Sequence, residues 1–411
     1  MSDLSQQLTE RFFRYLAVSS QSNAAATQLP STEGQRQLAE LLADELRTLG
    51  LRDVHIDENG ILTAFKPGNQ SSAPKIGFVA HLDTVDVGLS PDIKPQMLRF
   101  AGEDLCLNPE RDIWLRVAEH PEIMRYQDQD VIFSDGTSVL GADNKSAIAI
   151  LMQMFADMQR EAPDHGDLYV AFVPDEEVGL RGAKVIDLSR FPVDFAYTID
   201  STELGEVVYE TFNAASVKID ITGVTAHPMA AKNVMVNPVI VARDLMGCFD
   251  RQDTPEHTEG RQGYFWFTEV KASSSQAHLT MAIRDFDLPM FEARKRFVQE
   301  AVLLMQARHP KAKITCSIDD VYSNIGNSIG DKSHISIDLI FEAFAELGIE
   351  PNVIAMRGGT DGSALSARGI VTPNYFTGAL NFHSPFEFLP VNAFVKAYEA
   401  TRKICQLAAA R

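Results

Sequence analysis

Ile76-Gly77-Phe78-Val79-Ala80-His81-Leu82-Asp83-Thr84 is an apolar run that ends abruptly in ionisable side chains. The same break occurs twice more. Leu168-Tyr169-Val170-Ala171-Phe172-Val173 runs into Pro174-Asp175-Glu176-Glu177, and Phe195-Ala196-Tyr197-Thr198-Ile199 ends in Asp200. Short continuous apolar runs of this kind read as buried strands. Between them, Gly141-Ala142-Asp143-Asn144-Lys145 opens a helix carrying apolar Ala147, Ile148, Ile150, Leu151 and Met154. Strands alternating with helices predict an α/β sheet with parallel strands, whose site is built beyond the carboxyl ends of those strands. The polar residues that end these runs are therefore the candidate site.

Upstream, Leu8 to Leu16 and Gly34 to Leu49 carry apolar residues at helical steps, and Pro30-Ser31-Thr32-Glu33-Gly34-Gln35 supplies turn and cap residues before the second helix. Downstream, the pattern changes at about Asn213. Val217, Ile219 and Ile221 alternate with Lys218 and Asp220, a strand with one wet face. A helix over 237–249, strands over 263–273 and 276–285, a helix over 288–308 and a strand over 312–318 complete a β-α-β-β-α-β order. That order predicts an inserted ferredoxin-like α+β domain at 213–319, with 1–212 and 320–411 forming the other domain. The returning segment contains a helix over Ile335–Leu347, the run Arg357-Gly358-Gly359-Thr360-Asp361-Gly362 and a helix over 392–407.

Among 411 residues, 37 basic against 56 acidic side chains give a net charge of −19. That sign repels phosphate backbones and anionic lipid, so nucleic acid and membrane are excluded as expected partners. The longest apolar run, Ala147 to Met152, is far short of the roughly 20 residues of a membrane helix. Met1-Ser2-Asp3-Leu4-Ser5 has no basic and apolar leader pattern. Cys106, Cys248, Cys316 and Cys405 show no metal or redox spacing and read as buried reduced thiols. The expectation is a soluble, cytoplasmic protein.

His81, Asp83, Asp143, Glu176, Glu177, Asp200 and His383 make one chemical set. Carboxylates gathered at one end of a sheet repel unless a cation neutralises them. Mixed imidazole and carboxylate ligands suit zinc, manganese or cobalt, whereas calcium and magnesium prefer oxygen alone. Asp83 is placed to hold the second ring nitrogen of His81. Glu176 and Glu177 are neighbours whose side chains diverge, so that one can bind metal while the other handles protons.

The motifs Ala80-His81-Leu82-Asp83-Thr84-Val85, Leu140-Gly141-Ala142-Asp143-Asn144-Lys145, Pro174-Asp175-Glu176-Glu177-Val178-Gly179 and Tyr197-Thr198-Ile199-Asp200 resemble those of the co-catalytic zinc peptidases, the family of carboxypeptidase G2, aminoacylase and peptidase T. The resemblance is closest to the peptidase T (tripeptide aminopeptidase) branch and runs nearly end to end. It takes in Pro30 to Gln35, Phe212 to Val217, Val234 to Asn237, Ile283 to Asp287, Arg357 to Gly362 and Phe376-Thr377-Gly378. It implies a catalytic domain with a mixed, mainly parallel sheet flanked by helices, and an inserted domain that acts as lid and dimerisation surface in a homodimer. It also implies two zinc ions, replaceable by Co²⁺ or Mn²⁺, and removal of the N-terminal residue from a short peptide. Position by position, His81 and Asp200 hold one metal, Glu177 and His383 the other, and Asp143 bridges them. Asp83 orients His81, and Glu176 is the general base. His227 reaches the partner's site to stabilise the oxyanion, and Arg284 and Arg357 grip the peptide's carboxylate.

The chain departs from the branch at three places. Asn144 stands where a second aspartate is typical, Ser201-Thr202 where glycines follow the ligand, and Ser384-Pro385-Phe386 where a glycine and a basic residue follow the histidine. The last two bear on tripeptide selectivity. A dipeptidase or acyl-amino-acid deacylase shares the same metal set, and a non-catalytic binding protein would have no use for Glu176. Taken singly, the residues also have ordinary uses: His81 as a strand-end hydrogen bonder, Glu176-Glu177 as surface charge, Asp143 and Asp200 as caps, Arg357 to Gly362 as a turn, His227 as a cap before Pro228, and Lys145 as an ion-paired loop anchor.

Overall fold

The computed structural model describes residues 3–330 and 334–411; Met1 and Ser2, where the N-terminal leader reading begins, lie outside them. The chain forms two compact units, one of Met1–Tyr209, Ser328–Ile354 and Thr360–Arg411, the other of Glu210–Asn327 and Ala355–Gly359. The segment Arg357-Gly358-Gly359 thus goes with the second unit and Thr360-Asp361-Gly362 with the first.

The first unit is built on an eight-stranded sheet in the order Arg52–Ile56, Leu62–Lys66, Leu168–Val173, Ile76–His81, Phe195–Ser201, Asn374–Phe376, Glu206–Thr211, Asn352–Met356. The strands from Leu168 to Phe376 in that order pair in parallel, with antiparallel partners outside them. Helices Asp3–Leu16, Ala142–Glu161, Ile335–Leu347 and Val391–Ala409 share one large core. A smaller core joins the short helices Arg181–Val185 and Asp361–Ala367 with Phe191 and the sheet residues Val79, Ala171 and Ala196. With cores on both faces, Ile76–His81 is buried at every position, which is why it reads as an unbroken apolar run. The helix Ala142–Glu161 is buried without a break from Ala142 to Phe155, its apolar run Ala147–Met152 packed all round and its polar first turn enclosed as well. Gly77 is required by close approach, since a Cβ there would stand 2.3 Å from Phe191 Cζ.

A second sheet, Phe388–Pro390, Gln129–Ser134, Pro95–Phe100, and the hairpin Leu105–Asn108 with Ile113–Leu115 fill a stretch to which the sequence reading assigns no element. Pro95–Phe100, Leu105–Asn108 and Ile113–Leu115 are short and mostly half-buried, and the buried Phe388–Pro390 joins its sheet from far along the chain, so neither period nor neighbouring turns betray them.

In the second unit four antiparallel strands run in the order Tyr264–Ala272, Gln276–Asp285, Asn213–Thr222, Lys313–Tyr322. With helices Pro238–Met246 and Leu288–Arg308 this gives the β-α-β-β-α-β sequence. Val217, Ile219 and Ile221 are buried against those helices while Lys218 and Asp220 are exposed. Both helices begin where side-chain caps dictate: Asn237 accepts from Val239 N–H and Asp287 from Met290 N–H, each followed by a proline in the first turn.

The cysteine reading needs correction. Only Cys405 is buried; Cys106, Cys248 and Cys316 are half-buried, the last two at the margin of the second unit's core. Among the described residues no helix is long and apolar enough to cross a membrane.

Candidate active site

His81 ends its strand, and the parallel register sets it level with Val173, just before Pro174-Asp175-Glu176-Glu177. Counting on from the pair Val79 and Thr198 brings His81 level with Asp200, and its Nε2 lies 3.8 Å from Asp200 Oδ1. Asp143 opens the buried helix, where the backbone of Asp143 and Asn144 is not yet helical. Its Oδ1 lies 2.8 Å from His81 Nε2 and its Oδ2 3.1 Å from His383 Nε2. One carboxylate thus faces both imidazoles, one oxygen to each.

Two triads of potential ligand atoms follow, His81 with Asp143 and Asp200, and Asp143 with Glu177 and His383. Within each, the atoms lie within 4.8 Å of one another. They share Asp143. Glu176 joins His81 and Glu177 in a third grouping. Glu177 Oε1 is buried 3.0 Å from His383 Nε2 but outside hydrogen-bond geometry, a polar pair facing a common point without bonding to each other. Nitrogen and carboxylate oxygens in two sets with one common member fit a pair of zinc-like ions.

Asp83, fully buried, has Oδ1 3.3 Å from His81 Nδ1, and its backbone oxygen lies 2.9 Å from the same nitrogen. Donation from Nδ1–H leaves Nε2 as the atom that faces Asp143 and Asp200. The Asp83 carboxylate also accepts the backbone N–H groups of Glu176 and Glu177, at 3.0 and 3.2 Å. Asn144 donates through Nδ2 to Asp200 Oδ1 at 2.8 Å and to Ile199 O at 2.7 Å. An aspartate at 144 would set a second anion against Asp200; the amide holds it instead.

The cluster is short of positive charge. Burial and the neighbouring Asp143 charge push Glu177 up to about 7 and Asp200 up to about 6. Burial lifts Glu176 well above the usual carboxylate range. The carboxylates of Asp143, hydrogen-bonded to its Nε2, and of Glu177, 3.0 Å from the same atom, raise His383 to about 11. Burial alone would raise Asp143 too, yet the two imidazoles hold it low. Such a set is neutralised by bound cations.

Two residues escaped the sequence reading. Asp361, in Thr360-Asp361-Gly362, is 2% exposed, and burial lifts its carboxyl well above the ordinary range, with His81, Asp200, Asp83 and Glu177 in electrostatic reach. Its signal, an aspartate between a cap and a glycine, is also that of a plain turn. Glu387 is buried and accepts the backbone N–H groups of Gly141, at 2.8 Å, and Asp143, at 3.2 Å. It thereby ties the loop after His383 to the loop that presents Asp143. Lys145 is corrected: its buried Nζ donates to the Val18 carbonyl at 2.6 Å and forms no ion pair among the described residues, and burial pulls it down to about 7.

The remaining candidates belong to the second unit. His227 is exposed, with Nδ1 accepting from Met229 N–H at 3.2 Å. Arg284 donates through Nη1 to the carbonyls of Ala215 and Ile283 and lies over the Tyr322 ring. Arg357 donates to the carbonyls of Gly260 and Gln262 and to Thr258 Oγ1, over Phe212 and Tyr264.

Residues 139–407 match the profile of Peptidase family M20/M25/M40. A peptidase T-like protein of Yersinia pestis is 64% identical over 406 residues, 99% of this chain and 98% of that one. Peptidase T of Geobacillus kaustophilus is 41% identical over 407 residues, 98% of each. The crystal structure of aminopeptidase PepT from Bacillus cereus superimposes with a TM-score of 0.77 over 99% of both chains, a shared fold at 21% identity. Full-length relatives at 64% and 41% identity, and a profile that matches residues 139–407, place the chain in the M20/M25/M40 family of peptidases.

Proposed function

We propose that this protein is a zinc-dependent aminopeptidase that removes the N-terminal residue from tripeptides. The carrying observation is the pair of ligand triads that meet at Asp143. His81 and Asp200 would hold one zinc and Glu177 and His383 the other, with Asp143 common to both sets; Co²⁺ and Mn²⁺ suit the same donors. When bound, the two ions supply Lewis acidity at the scissile carbonyl and an acidified water. The chain's own residues do the rest. Glu176, buried beside His81 and Glu177, takes the proton of the attacking water and returns it to the leaving amine. Asp83 keeps His81 in the ligating tautomer.

His227 accepts at Nδ1, which leaves Nε2–H as an exposed donor suited to an oxyanion. We assign it to the partner's site in a cytoplasmic homodimer. The helices Pro238–Met246 and Leu288–Arg308 support such pairing, because they expose Val239, Ile240, Met290, Leu303 and Leu304, with Leu303 68% exposed. Arg284 and Arg357, with planar guanidinium forks, grip the peptide's carboxylate.

Steady-state hydrolysis of di-, tri- and tetrapeptides with added zinc tests the reading. Free tripeptides should be turned over faster than their acetylated or C-terminally amidated forms, because an unpaired buried polar group is costly. Equal rates on acetylated and free peptides would assign a deacylase instead, dipeptide preference a dipeptidase, and no hydrolysis a binding protein. Metal affinity gives an independent check. Asp83→Ala should weaken zinc binding by roughly 10–100-fold in a chelator competition.

A further inference from the structure

The run Pro30 to Gln35 lies outside the metal set, and nothing in the chemistry so far uses it. The structure shows where it goes. Asp175, the residue before Glu176, is fully buried and has a left-handed φ of 59°, a conformation that a non-glycine residue holds only when its surroundings enforce it. Ser31 donates its backbone N–H to Asp175 Oδ2 at 2.8 Å and its hydroxyl to Oδ1 at 2.5 Å. Gln35 closes the clamp in both directions. Its Nε2 donates to Asp175 Oδ1 at 2.7 Å, and its Oε1 accepts the Asp175 N–H at 2.9 Å. Arg181 Nη1 adds a charge 3.1 Å from Asp175 Oδ2.

The turn behind Asp175 is equally constrained. Arg181 N–H bonds the Asp175 carbonyl and Gly182 N–H the Pro174 carbonyl, where a Cβ on Gly182 would stand 2.5 Å from Pro174 O. Asp83 fixes the backbone N–H groups of Glu176 and Glu177 from the metal side. The turn is thus held from two sides, and only the Asp83 side touches a metal ligand.

We propose that Ser31 and Gln35 are positioning residues for the general base, acting through Asp175 to set the direction of Glu176. This rests on Glu176 being the base, as proposed above. Reach is the physical point: a base displaced by about 1 Å loses on the order of 10²-fold in rate while substrate contacts elsewhere are unchanged. Ser31 and Gln35 belong to the start of the helix Glu33–Thr48 and the segment before it, so they bring a rigid element to bear on a turn.

Gln35→Met keeps the side chain's length and volume and removes its amide, and with it both hydrogen bonds to Asp175 and those to the Ser31 and Thr32 hydroxyls. It should lower kcat on a tripeptide about 10–100-fold, with KM within about threefold and zinc content unchanged. Gln35→Glu, which keeps the acceptor but sets an oxygen against Asp175 Oδ1, should be slower still. The deciding measurement is the double variant. If Gln35 acts through Glu176, adding Gln35→Met to Glu176→Ala leaves the residual rate unchanged, because effects through one group do not add. A further 10–100-fold drop in that background, loss of zinc from Gln35→Met, or wild-type kcat in Gln35→Met would overturn the proposal. Near-normal turnover in Glu176→Ala alone would instead overturn the base assignment on which it stands.

Discussion

Glu176→Ala retains zinc at both positions and loses about 10²–10⁴-fold in kcat, the usual contribution of a positioned general base. The expectation comes from where Glu176 sits. Its neighbour Glu177 faces His383 Nε2, whereas Glu176 stands with His81 and Glu177 in a grouping that does not include Asp143. Burial lifts its carboxyl well above the ordinary carboxylate range. Glu177→Ala should do the reverse, weakening metal at one position. Zinc measured on the dialysed proteins separates the two variants, and loss of metal from Glu176→Ala would make Glu176 a ligand.

The second large effect is expected at His227. His227→Ala should cost roughly 10²–10³-fold in kcat, the loss typical when an oxyanion donor is removed, with zinc content unchanged. Mixing it with Glu176→Ala should recover activity, because the mixed dimer contains one site with Glu176 from one protomer and His227 from its partner. Subunit exchange must be shown in the same mixture. Exchange without recovery would place the action of His227 within its own chain or deny it any.

Much of this was legible in the sequence, for reasons that can be named. The three strands Ile76–His81, Leu168–Val173 and Phe195–Ser201 are buried on both faces, so they stood out as unbroken apolar runs running into polar residues. The inserted unit has one wet face, and its alternation revealed it. The strands at Gln129–Ser134 and Pro95–Phe100 were not legible because their sheet is completed by Phe388–Pro390. Asp361 and Glu387 were missed because their roles depend on what folding brings beside them. An aspartate after a threonine reads as a turn until burial leaves its Oδ1 without a partner. Glu387 has no local signal at all, since its partners are the N–H groups of Gly141 and Asp143.

The first unit is discontinuous, resuming at Ser328 once most of the second has been made. During synthesis the strands bearing His81 and Asp200 and the turn bearing Glu177 emerge early, but His383 and the Glu387 that braces Asp143 emerge almost last. Until then the nascent chain holds one triad complete and the other lacking its histidine, with the inserted unit free to fold in the interval. The second triad is therefore completed late. A chain truncated before residue 383 would lack both that triad's histidine and the helix Val391–Ala409, which shares the large core with the sheet.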